Sequence, residues 1–339
     1  MELETIFISI ASYRDKELVP TIKDCLAKAK HPERLVFGIC WQHKTEDEWD
    51  NLDEFKNNEQ FKIIDIDYKY AKGACWARRQ IQHVYNDETY YLQLDSHIRF
   101  ITHWDEVLIN EFKEIQRLEN NHKIIISSYP PGYWPDKPVN ANRQHNCFIT
   151  INNFFGKHNP TLSVKPLGLN PKNEPNFYFN TRFIAGGFLF TIGQWVYDVP
   201  YDHTLYFIGE ELNLAVRSYT HGYQLTCTTE NHVMHFYTRK DDPHHWNDHT
   251  QPSQALVDDR LNGLFKLKNV YIPPQYRLGT VKTLREYEDY IGVDFTNQKI
   301  NPHALKEKEP LKTTKIDRSL WLDGDEKTIT AYKKEHNIY

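Results

Sequence analysis

A chain of 339 residues is long enough for one large α/β domain or two modest ones. With 41 basic against 46 acidic residues and a net charge of −5, it lacks the basic excess of a nucleic-acid surface. No stretch approaches the roughly 18 apolar residues of a membrane span. Five scattered cysteines without a CxxC pair, and a Met-Glu-Leu-Glu start with no basic or long apolar segment, predict a cytoplasmic protein without a signal peptide. Aromatic residues make up 14% of the chain, a supply that suits ligand stacking and core filling equally.

The first half alternates strand and helix signals. Ile6–Ile10 reads as a buried strand, and Leu18–Lys30, with Pro20 in its first turn, as a helix. Strands are predicted at Leu35–Cys40 and Phe61–Ile66, then a helix at Trp76–Tyr85. Tyr90–Asp95 is a central strand, Asp105–Leu118 a strongly periodic helix and Lys123–Ser128 another strand. This order predicts a doubly wound sheet with ligands at the strand C-termini. After Pro130 the pattern loosens. Pro131, Pro135 and Pro138 mark a long loop, and 152–175 reads as irregular. Regularity returns at Arg182–Thr191 and in a helix at Glu210–Tyr219. From about Asp241 the chain is polar and proline-rich, with one more helix at Leu284–Ile291. A catalytic unit is therefore expected over 1–240, with 241–339 an extension packed on it or binding a partner.

The most informative stretch is Tyr91-Leu92-Gln93-Leu94-Asp95-Ser96-His97. On an extended backbone Asp95 and His97 point to the same face, and a carboxylate with an imidazole suits Mn²⁺ better than Ca²⁺. An Asp capping the next helix beside a surface His explains the pattern as simply. Among possible third ligands His232 and His235 qualify by type, and His244, His245 and His249 lie just downstream. Only Cys227 offers a nearby thiolate for a structural zinc site.

Four other segments could carry chemistry. Ser9 to Asp15 ends the first strand and could seat a base, a ribose and a phosphate, or cap the next helix through Ser12 or Asp15. Gly73-Ala74 permits close backbone approach at a helix start, and Arg78 could reach a pyrophosphate or lock Asp65 or Asp67. Gly186-Gly187 marks a close ligand approach or a strand bulge. Glu210 and Glu211 at a helix N-terminus are dipole-stabilised, or hold sugar and acceptor hydroxyls in a pocket.

Taken in order, SIASYRD, GACWAR, LQLDSH, SSYPPGY, FIAGGF, FIGEELNLAVRSYTHGY and HVMHFYTR resemble the GT-A-fold transferases typified by cytoplasmic hydroxyproline-specific polypeptide α-N-acetylglucosaminyltransferases. LGTVKTLREYEDYIGVDF, from Leu278, looks like the tail of the same family. The AGG, GEE and Asp-x-His elements also resemble the polypeptide α-N-acetylgalactosaminyltransferases. One departure is Ala11, where the family often has Pro.

The resemblance implies a GT-A-type α/β sheet and retaining, metal-dependent transfer of GlcNAc from UDP-GlcNAc to a hydroxyl acceptor. UDP-GalNAc is the runner-up donor. Mn²⁺ would be held by Asp95, His97 and His235, with Asp95 also at the diphosphate. Ser12, Tyr13 and Arg14 would lie at the uridine and Arg78 near the ribose or phosphates. Gly186 and Gly187 would shape the sugar pocket, and Glu210 and Glu211 would face sugar and acceptor. The acceptor, protein or glycan, is left open. Competing readings are a polysaccharide or lipopolysaccharide transferase of the same fold, a sugar-nucleotide-binding protein without transfer, and a metal-dependent hydrolase.

Overall fold

The computed structural model describes residues 4–137, 146–154, 162–168, 176–250, 254–307, 309–311 and 316–338. Its first half is built from β1 (Ile6–Tyr13), α1 (Leu18–Lys28), β2 (Leu35–His43), β3 (Phe61–Asp67), α2 (Ala74–Gln82), β4 (Tyr90–Asp95), β5 (Ile98–Phe100), α3 (Trp104–Glu119) and β6 (Ile124–Ser127). There follow β7 (Cys147–Phe154), β8 (Leu162–Gly168), β9 (Tyr178–Asn180), β10 (Phe188–Ile192), α4 (Trp195–Asp198), α5 (Glu210–Thr220), β11 (Gln224–Thr228) and β12 (Val233–His235).

An eight-stranded sheet in the order β3-β2-β1-β4-β10-β6-β11-β9 dominates the molecule. Strands β1 to β4 pair in parallel, whereas β10 runs antiparallel to both β4 and β6. Parallel strands covered on both faces read as continuous apolar runs, which is why IFISI and YYLQL carry little alternation. Along β1, Ile6, Ile8 and Ile10 pack with Leu18, Ile22, Leu108 and Phe112 on the α1 and α3 face. Phe7 points the other way, into the cluster holding Ala77 and Ile81 of α2.

The sheet leaves the carboxyl ends of β1 and β4 beside the amino end of β10, where the strand direction reverses. A cleft at such a switch point is the usual ligand site of an open α/β sheet. Two-stranded pairing of β5 with β12, which sets His235 opposite Ile98, brings a remote segment to the same edge.

Two expectations need correction. The stretch 152–175 is not simply irregular: β7 and β8 form an antiparallel hairpin with a register shift between Ile151 and Asn153, while 155–161 and 169–175 lie outside the described residues, as does Pro138. Polar Asn152 and Asn153 hide the strand pattern, and β7 owes its buried face to packing from the C-terminal helices. The region after 240 also holds more structure than one helix. It contains α6 (His245–Asp248), α7 (Gln254–Leu264), α8 (Leu284–Ile291), β13 (Val293–Asp294), β14 (Lys299–Ile300), α9 (Pro302–Lys306), β15 (Leu322–Asp323) and α10 (Glu326–Glu335). The fully buried Arg182 donates to the backbone carbonyls of Ile291, at 3.1 Å, and Glu307, at 3.0 Å, fastening this region to the sheet.

Candidate active site

Asp95, His97 and His235 each offer one ligand atom, and these atoms lie within 4.8 Å of one another. Extended-strand alternation is not what joins them. β4 stops at Asp95, and the chain bends through Ser96 and His97 before β5 begins. His235 arrives on β12, 140 residues away in sequence, with its Nε2 3.0 Å from Asp95 Oδ2. Metal–ligand bonds of about 2.1 Å set at right angles leave neighbouring donor atoms about 3.0 Å apart, so this spacing fits a shared cation. His235 Nδ1 is buried without a hydrogen-bond partner, leaving the ring free of a tautomer-fixing contact at that atom. Burial, only partly opposed by Asp95, lowers the His235 pKa and keeps its imidazole neutral, the form that binds metal. Burial would push Asp95 up, but the His235 hydrogen bond and the Arg78 guanidinium hold it well below the usual carboxylate range.

His97 is held from behind. Its Nδ1 lies 2.8 Å from Asp15 Oδ2, which directs Nε2 toward the Asp95 side. The same carboxylate takes an ion pair from Arg239 at 3.1 Å, and its other oxygen accepts from the Glu17 backbone at 2.9 Å. Asp15 closes a turn ahead of α1, whose N-cap is Glu17 with no side-chain cap, and it orients His97. The sequence signal was available, since Asp15 sits at the end of β1, but helix capping explained it as well. His232 is elsewhere: its Nε2 pairs with Glu111 at 2.8 Å and the ring is buried against Phe188. Converting Asp15 to Asn is expected to weaken Mn²⁺ binding about 10- to 100-fold, read by calorimetric titration. Unchanged affinity would make Asp15 a structural turn residue only.

Arg78 does not pair with Asp65 or Asp67. Fully packed against β4, it reaches Asp95 Oδ1 at 2.8 Å and the carbonyls of Leu94 and Gly186, with Glu210 at 3.7 Å. Asp65 instead faces His43, and Asp67 caps a short turn. Gly187 is required by contact: a Cβ there would sit 2.8 Å from Asp95 Oδ2. Gly73, at φ +97°, would carry a Cβ 2.5 Å from the Tyr206 ring.

Two cavities meet at Asp95 and His235. One, of about 450 Å³, is lined by Gly186, Gly187, Glu210, Glu211, Tyr129 and Tyr237 among others. Glu210 is buried and accepts from Tyr201 at 2.6 Å. Glu211 is less buried; it accepts from the Gly186 backbone at 2.9 Å and from Tyr129 at 2.7 Å. Burial, opposed by the Tyr129 hydrogen bond, raises its pKa to about 7. The second cavity, of about 290 Å³, is lined by Tyr13, Gln42, Gly73, His97 and, from beyond residue 240, His245 and Trp246. Ser12 and Arg14 do not line it. Ser12 is fully buried, and Arg14 is held by Asp47 at 2.6 Å and Asp248 at 2.9 Å.

Residues 5–58 and 49–297 match a sequence-family model described as Glycosyltransferase (GlcNAc). The chain belongs to this glycosyltransferase family. No curated protein matches it. Among solved structures, it is similar to GalNAc-T7 crystallised with UDP, GalNAc and Mn²⁺, with a TM-score of 0.53 and 14% identity over 85% of this chain and 54% of that one. The transferase therefore spans about half the length of that relative. A TM-score of 0.46 and 12% identity relate it to Staphylococcus aureus TarS residues 1–349 in complex with UDP-GlcNAc, over 76% of this chain and 65% of that one. The fold is of the GT-A type. Among the described residues, no helix is long and apolar enough to cross a membrane.

Proposed function

We propose that this chain is a metal-dependent, retaining glycosyltransferase that moves GlcNAc from UDP-GlcNAc to a hydroxyl acceptor in the cytoplasm. The observation that carries the reading is the convergence of Asp95, His97 and His235 between two cavities. Mn²⁺ or a similar cation bound by these three residues would neutralise the diphosphate of the donor. The cavity at Tyr13 and Gln42 would take the nucleotide, and the one at Gly186 and Gly187 the sugar. Arg78 acts through Asp95: its buried charge keeps that carboxylate ionised and aimed at the cation. Residues 1–240 would form the catalytic unit, with the first turn of the extension closing its nucleotide side.

Retention is what the family resemblance implies, and the way the pocket carboxylates are engaged favours front-face attack over double displacement as its route. Glu210 is tied to Tyr201 and Arg78, and Glu211 to Gly186 and Tyr129. Attack by either on an anomeric carbon would break those bonds. Front-face attack, with a donor phosphate oxygen taking the acceptor proton, needs no such nucleophile. Glu211 would instead hold the sugar or acceptor by hydrogen bonding.

A panel of UDP-sugars assayed for UDP release and thermal stabilisation, with and without Mn²⁺, tests this reading. UDP-GlcNAc is expected to give the largest Mn²⁺-dependent signal, with UDP-GalNAc next. Preference for a hexose lacking the acetamido group would reject the donor assignment.

A further inference from the structure

The outward face of α2 carries a second cluster, unused by the chemistry above. Trp76 and Arg79 lie at helical spacing on the side of α2 away from Arg78, flanked by Lys72 just before the helix and by His83 at its C-cap. His203 and Tyr276 complete a groove of about 420 Å³ around them. No acidic residue lines it. Among the described residues, none of Lys72, Arg79, His83 or His203 has a carboxylate within ion-pairing distance. Arg79 donates only to the amide oxygen of Gln82, at 3.3 Å, and His203 Nδ1 meets the Tyr276 hydroxyl at 2.8 Å. Beneath the floor the fully buried Arg217 lies 5.7 Å from the Tyr276 ring centre, adding positive charge. The nearby Asp202 is taken by Arg260 at 2.8 Å. Lys72 and Arg79 carry the charge of the groove, with His83 kept neutral by burial and by Arg79, and no acid of the lining offsets them.

We infer that this groove binds an acidic segment of a polypeptide acceptor. The assignment rests on the glycosyltransferase reading, because only a transferase needs an acceptor. The lining interleaves cations with two aromatic rings, a pattern that matches a peptide alternating acidic and apolar side chains better than a uniformly charged phosphodiester. From Trp76 to Gln82 the helix rises about 9 Å, the reach of about three extended residues. The groove also lies close to the chemistry, since Ala74, two residues before Trp76 on the same helix, lines both cavities. Docking here would leave the neighbouring chain within reach of the donor.

The probe is a fluorescein-labelled peptide of alternating Glu and Leu, measured by anisotropy against the full chain without donor, beside a Gln/Leu control. The acidic peptide is expected to bind at least ten-fold more tightly than the control, with affinity falling as salt rises. Lys72→Gln with Arg79→Gln should weaken it about ten-fold while donor hydrolysis stays unchanged. Equal binding of both peptides, or no loss in the double variant, overturns the inference and leaves the transferase reading standing. Tighter binding of a polyphosphate of equal charge overturns the peptide assignment. Absent UDP-GlcNAc hydrolysis would instead count against the transferase reading itself.

Discussion

Exchanging Asp95 for Asn is expected to cut Mn²⁺-dependent UDP release by at least about 10³-fold. The two carboxylate oxygens have separate duties: Oδ1 receives Arg78 at 2.8 Å and Oδ2 faces His235 at 3.0 Å. An amide keeps the volume but must turn its NH₂ toward one of them. Facing Arg78 would set donor against donor, so the NH₂ turns to His235, and the oxygen meant for the cation is lost. Arg78 is then left with Glu210 at 3.7 Å as its nearest charge, which lowers stability by several kcal/mol at most. A melting curve separates that cost from the catalytic one. The wild type should gain thermal stability on adding Mn²⁺ and the variant should not. Turnover within a few-fold of wild type would show that the cation, if required, is held elsewhere.

A second large effect is expected to divide the two pocket glutamates. Glu211→Gln should lower kcat about 10²-fold or more with UDP affinity nearly unchanged, because its carboxylate lines the cavity proposed for the sugar and not the one proposed for the nucleotide. Glu210→Gln should act differently. It removes the charge beside Arg78 and leaves Tyr201 only a neutral amide oxygen as acceptor, so stability falls by about 1–3 kcal/mol. The pH profile adds a readout. Burial holds the Glu211 pKa up at about 7, so its carboxyl is mostly protonated below that pH and mostly ionised above it. If the ionised form binds the acceptor hydroxyl, transfer rises as pH increases through about 7, and Glu211→Gln flattens that limb. The sign for stability is opposite. Between its ordinary value of 4.5 and about 7 the folded state keeps a proton that the unfolded state has lost. Stability therefore falls as pH rises through that window, and the Gln variant should lose this slope. Steady-state transfer with calorimetric UDP titration decides: equal kcat in both variants and wild type would make the acids structural.

Much of the molecule was legible in the sequence because its central strands are buried on both faces. Runs such as IFISI, LVFGIC and YYLQL, short and bounded by helix signals, suit a covered parallel sheet, and the amphipathic period of α3 supplies part of the cover. The positions of Asp95 and His97 at the end of the central strand follow from the same pattern, as does the family resemblance carried by the ordered motifs. Tertiary structure alone decided the rest. Residue type leaves His232 and His235 open and only the family resemblance names His235; the β5–β12 pairing supplies the physical reason, since it sets His235 against Asp95 while His232, just ahead of β12, meets Glu111. Asp15 behind His97, and Arg78 on Asp95 instead of Asp65, are contacts between segments tens of residues apart, which local periodicity cannot encode. The β7–β8 hairpin and the C-terminal helices were hidden for a related reason. Their sequences are polar and interrupted, and they gain a buried face only where the finished sheet supplies one.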